Sequence, residues 1–398
     1  MTPSALAGLR VIDFSRVLAG PYGTMLLADL GADVIKVEHP QGGDDTRQWG
    51  PPWLDGESAY FLSVNRNKRS LTLNLKHPKG QELARRLAIK ADVLVENFKV
   101  GTMAKYGLDY QTLSVQNPGL VYCSITGYGQ YGPDRERAGY DFIVQAEAGL
   151  MSIIGPPEGP PYKVGVAIVD ITAGMFASHA ILAALYSRQQ TGRGQMIDIA
   201  LLDAQIAWLA NVAQNYLVSG ESPKRYGNAH ANIVPYEVFQ TSDGYLALGV
   251  GNDKQYQRLC EVAGRVDLWE DARFQTNPGR VIHREELIPK LQEVFLSRPT
   301  AAWIEQITAI GIPVGPINDI PTVIGHPQVQ ARQMVQKVKR PDGEDVPQLG
   351  PVAKFTGTPA RIYRHPPRLG EHTQEILREE LNLGDAQIEE LIMDKVIA

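Results

Sequence analysis

The sequence is poor in cysteine and in long apolar runs. Its 398 residues include only Cys123 and Cys260, and no apolar run approaches the length of a membrane span. Two isolated cysteines form no metal-ligand cluster and indicate a reducing compartment. The N-terminus has neither an apolar signal core nor the arginine-rich character of a transit peptide. We therefore expect a cytoplasmic protein without a membrane span or a bound metal.

Strong net charge and the common phosphate-binding fingerprints are also missing. The formal net charge is −5, which gives no general reason to expect nucleic-acid binding. The mildly basic N-terminal third suits either an ordinary surface or a small polyanionic ligand. No GxxxxGK[ST] motif occurs, and the turn SRVLAGPYG lacks GxGxxG and places Pro21 where the backbone would approach a pyrophosphate. A dinucleotide site is therefore not expected.

The first 130 residues alternate between strand and helix patterns. Residues 9–14 and 33–38 read as strands, with a helix between them at 21–31. Further strand patterns follow at 69–75, 92–97 and 120–125. Such βαβ order predicts an open α/β fold with a parallel sheet.

The middle of the chain no longer shows the regular alternation of strand and helix patterns. A long helix is predicted over 201–217, and a polar segment at 219–230 reads as a linker. Two strand patterns on either side of Asp243-Gly244 predict a hairpin, and helical patterns follow it. This pattern predicts a smaller α+β domain.

The stretch from Lys163 to Leu185 is centred on a single carboxylate, Asp170. An apolar run ends at Asp170, and a helical pattern rich in small residues follows. One interpretation is an N-cap, with the carboxylate accepting a backbone N–H. The other is a nucleophile at a helix start, where backbone N–H groups and the helix dipole stabilise charge on a substrate carbonyl. The stretch alone leaves both open.

The carboxyl ends of the predicted strands carry cations, amides and an apolar ring. They hold Arg16, His39, Lys76 and the Asn97-Phe98-Lys99 turn. Ligands of open α/β sheets bind at this edge. The mixture suits a phosphate-bearing ligand with an organic arm, although ordinary loop polarity is the alternative.

Together these motifs resemble the class III CoA-transferases, the formyl-CoA and carnitine CoA-transferase family. The resemblance runs in order through LAGLRVIDFSRVLAGPYGTMLLADLGADVIKVE, SVNRNKRSLTLNLKHPKG, ADVLVENFKVG, the Asp170 stretch, TGRGQ and PRLGEHTQEIL. GDDTR, YCSITGYGQYGP and GNAHANIVPY are most similar to the dicarboxylate branch, which includes glutarate (succinate–hydroxymethylglutarate) CoA-transferase.

The resemblance implies a fold and a reaction. The fold has a large Rossmann-like domain from both chain ends (1–224 and 326–398), a small α+β domain (225–325), and an interlocked-ring homodimer. Asp170 is then the nucleophile that moves CoA from an acyl-CoA, with succinyl-CoA the expected donor, to a short dicarboxylic acid. The path runs through a mixed anhydride and an enzyme thioester. CoA thioesters are substrates, and no permanently bound cofactor is expected.

The resemblance also implies a CoA site. His39 and Lys105 stand where relatives have arginines, and a lysine keeps the charge but not the bidentate geometry. The implied CoA-binding residues are Val17, Leu18, His39, Leu73, Asn74, Leu75, Lys76, Asn97, Phe98, Lys99, Lys105, Tyr140 and Asp141.

A dicarboxylate also needs a cation for its second carboxylate. Arg16, Arg47 and His230 are the candidates, with a surface ion pair to Asp44 or Asp45 as the alternative for Arg47. Two other reactions remain as alternatives. A formyl-CoA-type transferase is disfavoured because its glycine run is absent, and a 2-methylacyl-CoA racemase or isomerase because Tyr140 is a poor base.

Overall fold

The computed structural model describes residues 4–398. The strands are β1 (Arg10–Asp13), β2 (Asp33–Glu38), β3 (Trp53–Leu54), β4 (Glu57–Ser58), β5 (Lys68–Thr72), β6 (Val93–Glu96), β7 (Val121–Thr126), β8 (Met196–Ala200), β9 (Tyr236–Gln240), β10 (Tyr245–Gly249), β11 (Val314–Pro316), β12 (Val335–Lys339) and β13 (Asp345–Leu349). The helices are α1 (Ala19–Asp29), α2 (Ala59–Val64), α3 (Pro78–Ile89), α4 (Thr102–Lys105), α5 (Tyr110–Gln116), α6 (Asp141–Glu147), α7 (Leu150–Ile153), α8 (Ile168–Thr191), α9 (Leu201–Trp208), α10 (Ala210–Ser219), α11 (Asp253–Val262), α12 (Val266–Glu270), α13 (Asn277–Ile282), α14 (Arg284–Phe295), α15 (Thr300–Ala309), α16 (Ile320–Gly325), α17 (Pro327–Ala331), α18 (Thr373–Leu381) and α19 (Asp385–Met393), with a 3₁₀ turn at Asp45–Gln48.

The chain divides into two compact units. The larger contains residues 1–150, 164–209 and 327–398, and the smaller contains 151–163 and 210–326. The boundary drawn from the sequence, at 225, placed residues 210–224 and 151–163 in the large domain. In the structure both segments belong to the smaller unit.

The larger unit is built on a parallel sheet of six strands in the order β5-β2-β1-β6-β7-β8. In the central register Ile12 lies beside Ile35 and Leu94. The mixed α/β class and the parallel sheet are confirmed. The predicted helix over 201–217 is wrong, because Ala210 has a φ of 39° and the segment forms two helices, α9 and α10.

Both faces of this sheet are buried. One face packs on α1, α8 and α9, with strand valines such as Val11 and Val121 pointing toward them. The other packs on α3, α18 and α19, so the C-terminal helices cover strands from the N-terminal third. A sheet covered on both faces explains why its strands read as nearly continuous apolar runs.

Helices α1 and α8 approach closely because small residues line their contact. A Cβ placed on Gly23 would lie 2.8 Å from the carbonyl oxygen of Gly174. A Cβ on Gly174 would lie 2.5 Å from the carbonyl oxygen of Ala19 and 3.0 Å from the nitrogen of Gly23. These backbone contacts fix the N-terminal part of α8 against α1.

Helix α8 was not foreseen as a long apolar segment. Among the described residues it alone is long and apolar enough to cross a membrane by length and composition, with a mean hydropathy of 1.7. Half of the apolar window is buried, and residues such as Ala173, Ala177 and Ile181 lie in the core beneath the sheet. This burial is typical of the core helix of a globular unit.

The smaller unit contains a three-stranded antiparallel sheet in the order β11-β10-β9. The predicted hairpin pairs Leu246 with Phe239, and its core includes Trp303 and Tyr256 from the surrounding helices. The sequence had not predicted β11, a three-residue strand in the Pro/Gly-rich segment after α15.

Gly174→Ala tests the close contact of the two helices. The added methyl group meets backbone atoms of α1 that no rotamer change can move, so the free energy of unfolding should fall by about 1–3 kcal/mol. Urea denaturation measures the change. Gly325→Ala is the control, because its Cβ would face open space. Equal effects of the two substitutions would contradict the contact.

Candidate active site

Asp170 is the third residue of α8 and not its N-cap. The N-cap is Ala167, which has no side-chain hydrogen bond to offer. The N-cap interpretation of Asp170 is therefore wrong. Its carboxylate instead projects from the first turn, where it is partly buried and lines a cavity of about 200 Å³.

Asp141, from the start of α6, caps this helix from outside. One carboxylate oxygen accepts hydrogen bonds from the backbone nitrogens of Val169 (2.8 Å) and Asp170 (3.4 Å), and the other accepts one from Gln145 Nε2 (2.6 Å). Asp141 thus holds the peptide that carries Asp170 and supplies the cap that the sequence assigned to Asp170 itself.

The remaining first-turn donors of α8 are also occupied. The nitrogen of Ile168 donates to the Val166 carbonyl, and that of Ile171 donates to the Ala167 carbonyl. The expectation that these N–H groups stabilise charge on a substrate carbonyl is therefore not met in this structure. What remains for the site is the field of the helix dipole.

The surroundings disfavour the ionised form of Asp170. Burial, and then the nearby charge of Asp141, raises the pKa of Asp170 to about 7. Burial and the charges of Asp170 and Asp141 likewise raise the pKa of Tyr60 to about 12, so the phenol stays protonated at neutral pH. Asp170 is thus a carboxylate of unusually high basicity, and no cation among residues 4–398 is bonded to it.

The Asp170 cavity gathers seven of the other predicted residues at the carboxyl edge of the sheet. Its walls come from the loop after β1, the turn after β6 and residues 126–140. The predicted residues that line it are Arg16, Val17, Leu18, Asn97, Phe98, Lys99 and Tyr140. Strand ends therefore converge here as the parallel topology requires.

A second cavity of about 360 Å³ shares Arg16, Asp45 and Phe98 with the first. Its predicted lining residues are His39, Leu73, Leu75 and Lys76. Asn74 and Lys105 line neither cavity: the Asn74 side chain accepts from the Lys76 nitrogen, and Lys105 is exposed at the end of α4. His230 lies in the smaller unit, with its ring against Tyr236 at 5.4 Å.

The Asn97-Phe98 turn is anchored by side chains. Asn97 bonds both backbone groups of Arg16, accepting from its nitrogen at 2.8 Å and donating to its carbonyl at 2.7 Å. Glu96 accepts from the Phe98 nitrogen at 2.8 Å, and the Arg16 guanidinium lies 5.2 Å from the centre of the Phe98 ring. The two loops that face Asp170 are therefore locked to each other.

The two candidate arginines differ sharply. Arg47 is 7% exposed, bonds both carboxylate oxygens of Glu38 at 2.8 Å, and also pairs with Glu57 at 2.9 Å. It is paired with neither Asp44 nor Asp45, so the surface-pair alternative is wrong, and it is not free for a substrate. Arg16 is half-exposed and makes one pair, to Asp45 at 3.3 Å. An exposed pair of this kind exchanges readily.

The sequence analysis missed the cations that follow β7. Arg135 and Arg137 line the Asp170 cavity from the loop after β7. Arg137 is engaged with Glu147 at 2.6 Å, whereas Lys99 has no acidic partner in the described part of the chain. The two arginines were visible in the sequence, but the position of their loop was not.

Comparisons with known proteins match this architecture. A model of CoA-transferase family III matches residues 6–373. A succinate–glutarate CoA-transferase of Agrobacterium fabrum is 50% identical over 94% of this chain and 95% of its own. A succinyl-CoA:glutarate CoA-transferase of Homo sapiens is 44% identical over 98% of this chain and 90% of its own. A crystal structure of a CAIB/BAIF family protein from Brucella suis superposes with a TM-score of 0.84 at 46% identity, covering 95% of this chain and 100% of that one.

Asp170→Asn should stabilise the protein increasingly as the pH rises. The folded-state pKa lies above the ordinary value, so holding the ionised carboxylate costs stability that grows between about pH 4 and pH 7 and then levels off. The free energy of unfolding should rise by about 2–4 kcal/mol at pH 8. Urea titrations at several pH values measure it.

Asp203→Asn serves as the control, since Asp203 is an exposed acid in the first turn of α9. Its effect on the free energy of unfolding should be small. A flat profile for Asp170→Asn would mean that the raised pKa is not a property of the protein.

Proposed function

Since this chain belongs to CoA-transferase family III, we propose that it moves CoA from succinyl-CoA to a short dicarboxylic acid, with glutarate the first candidate. The match to this family confirms the resemblance that was drawn from the sequence motifs. It also confirms the predicted enzyme class, a CoA-transferase. The observation that carries the proposal is the basic carboxylate of Asp170, which lines a cavity and has no bonded cation in the described part of the chain. The choice of acids follows the names of the two relatives described above.

The proposed reaction uses Asp170 as a covalent nucleophile. A carboxylate oxygen of Asp170 attacks the thioester carbon, the C–S bond breaks, and CoA thiolate leaves an aspartyl–succinyl anhydride. The thiolate then attacks the aspartyl carbonyl, which releases succinate and forms a thioester between Asp170 and CoA. Glutarate reverses both steps and leaves as glutaryl-CoA. No proton or electron is gained or lost over the cycle.

The raised pKa suits this role. A carboxylate that is stabilised by cations is a weak nucleophile, whereas one that is desolvated and placed beside a second acid is more basic. Near neutral pH about half of the Asp170 side chains are ionised, and the ionised fraction rises with pH. Asp170 is therefore ionised in a large fraction of the molecules at neutral pH, and its carboxylate is basic enough to attack a thioester carbonyl.

The two joined cavities support an extended position for CoA. The Asp170 cavity holds the thioester end, with the Val17, Leu18 and Phe98 side chains along it. The second cavity offers Leu73 and Leu75 as apolar surface, and His39 and Lys76 as polar groups. Lys99 supplies an unpaired cation for a phosphate. Roles for Asn74 and Lys105 remain predictions from the resemblance.

Arg16 is the better candidate for the second carboxylate of the acceptor. It lines the cavity that contains Asp170, and its single exposed ion pair is easily replaced. Arg47 would have to leave two buried acids uncompensated. His230 belongs to the smaller unit, and its role stays a prediction from the sequence.

A homodimer with interlocked rings, acting in the cytoplasm, completes the proposal. Support for a second copy comes from apolar side chains along α8 and α9 that are exposed in the single chain. Met175, Phe176 and Tyr186 of α8 are 53%, 40% and 65% exposed, and Trp208 of α9 is 44% exposed. Exposed apolar surface of this extent is typical of an interface.

The acceptor requirement is tested by mass spectrometry. The protein should convert succinyl-CoA to a new acyl-CoA with glutarate, and activity should fall by at least about 10⁴-fold in Asp170→Asn, because an amide is not a nucleophile of this kind. Mesaconate, malate, citramalate and itaconate complete the dicarboxylate panel, with oxalate and formate as the acids of the formyl-type alternative. Asp203→Asn is the control and should retain activity.

A new CoA ester formed without any acceptor would favour isomerisation or racemisation instead. Transfer to formate or oxalate but not to dicarboxylates would favour the formyl-type reaction. Full transfer by Asp170→Asn would remove the mechanism.

The two arginines give opposite predictions. Arg16→Met should raise the KM for glutarate by about 10- to 100-fold with little change in thermal stability, because it removes a carboxylate contact. Arg47→Met should lower the free energy of unfolding by about 3–5 kcal/mol, because it leaves Glu38 and Glu57 buried without a cation. Steady-state kinetics with glutarate and urea denaturation measure the two effects. An unchanged KM in Arg16→Met would assign the second carboxylate to another cation.

A further inference from the structure

The loop between β1 and α1 contains a backbone conformation that its sequence disfavours. Val17 has a φ of 68°, in the left-handed region that β-branched residues rarely adopt. Glycine or asparagine is usual at such positions. Val17 and the following Leu18 line the cavity that contains Asp170. The strained residue therefore forms part of the site wall.

Hydrogen bonds from backbone groups to side chains hold this conformation. The Val17 nitrogen donates to both carboxylate oxygens of Asp44, at 3.2 Å each. The carbonyl of Ser15 accepts from Lys36 Nζ at 2.9 Å. Since Asn97 bonds the nitrogen and carbonyl of Arg16, every residue from 15 to 17 is held by a side chain from elsewhere in the chain.

Lys36 and Asp44 form a fully buried ion pair with an Nζ–Oδ2 distance of 2.8 Å. Burial opposes the charge of Asp44, yet the Lys36 ammonium and the Thr46 hydrogen bonds lower the pKa of Asp44 to about 2. Burial likewise opposes the charge of Lys36, but Asp44 and neighbouring acids raise its pKa. Both groups are therefore charged at neutral pH, and Thr46 fixes the second Asp44 oxygen at 2.8 Å.

We propose that Lys36 and Asp44 are positioning residues for acyl transfer, which hold Val17 in its left-handed conformation and thereby seat the Val17–Leu18 wall over the reacting carbonyl. The proposal rests on the proposed function. Leu18 belongs to an apolar cluster that includes Val17, Tyr60, the α8 N-cap residue Ala167 and Ile171 of the first turn of α8. The loop conformation thus sets the apolar surface beside Asp170.

The wall has a chemical consequence. An aspartyl anhydride and an aspartyl thioester are both open to attack by water, which forms a free acid instead of a new acyl-CoA. The Ser15 carbonyl, the Val17 nitrogen and both backbone groups of Arg16 bond to Lys36, Asp44 and Asn97, so the Val17–Leu18 part of the cavity wall presents apolar side chains that exclude water. Loss of the Lys36 and Asp44 contacts should therefore increase hydrolysis relative to transfer, an effect that lower stability alone does not produce.

The experiment measures transfer and hydrolysis of succinyl-CoA in Asp44→Asn, with and without Val17→Gly. Asp44→Asn should lower kcat for transfer on the order of 10- to 100-fold, as expected for a displaced active-site wall, and should raise the fraction hydrolysed. Glycine adopts the left-handed conformation without a steric penalty. The same substitution in the Val17→Gly background should therefore lower kcat less than about threefold.

Asp29→Asn is the matched control. Asp29 is buried, pairs with Arg66 at 2.6 Å, and bonds the side chain of Asn67, another residue with a positive φ, but lines neither cavity. It should lower the melting temperature without changing the hydrolysed fraction. Equal losses of kcat for Asp44→Asn in both backgrounds, or an unchanged hydrolysed fraction, would overturn the proposal.

A readout without turnover separates this inference from the proposed function. If the unmodified protein transferred no CoA, the proposed function would fail, but hydrogen exchange at the Val17 amide could still be measured. That exchange should become at least about tenfold faster in Asp44→Asn and stay unchanged in Asp29→Asn. Unchanged exchange in Asp44→Asn would show that Asp44 does not hold the loop.

Discussion

The capping of α8 by Asp141 is the interaction on which the candidate site depends. A carboxylate from α6 occupies two backbone donors at the start of α8 and leaves Asp170 without them. A carboxylate that accepts backbone N–H bonds becomes a weaker base, and a neighbouring negative charge makes it a stronger one. Asp141 therefore withholds one stabilising contact from Asp170 and adds one repulsive contact, both of which raise the basicity of the nucleophile.

The parallel sheet decides which loops meet Asp170. Because β1, β6 and β7 lie side by side and run the same way, the segments that follow them converge at one edge. In dinucleotide-binding folds, glycines let the first loop approach a pyrophosphate. Here the same loop is held by Asp44, Lys36 and Asn97 through its backbone, and its side chains face the cavity. The parallel sheet is thus shared with dinucleotide-binding folds, but the contacts of the loop after β1 fit it to a different ligand chemistry.

Local sequence patterns predicted more of the fold than of the candidate site. The bounds of β2 follow from a short apolar run between polar residues, and the predicted strand at 33–38 agrees with the structure. The break between α9 and α10 could not be predicted from the sequence. Ala210 adopts a left-handed φ there, and no glycine or proline marks the position. Residues at strand ends were predicted well, since topology alone brings them to one edge.

Pairings between distant residues could not be predicted in the same way. Asp141 meets the Val169 nitrogen across 28 positions, and Arg47 meets Pro367 across 320. Asp170 looked like a helix cap because a lone acid before small residues is the usual sequence signal for one. Only the tertiary structure shows that another acid already occupies that place, and that Arg47 is enclosed by Glu38 and Glu57.

Buried ion pairs beneath the site are poor sources of stability. Desolvation of two charges roughly offsets their attraction, and well-packed apolar side chains often stabilise a fold more. Yet this unit encloses Asp13 with Lys68, Asp44 with Lys36, and Glu38 with Arg47. Each pair contacts backbone that leads to the cavity: Lys68 bonds the Pro21 carbonyl, Lys36 the Ser15 carbonyl, and Glu38 the Asp44 nitrogen. An apolar core could fill the same space, but it could not direct individual N–H and C=O groups, and a loop that holds Val17 in a strained conformation requires that direction.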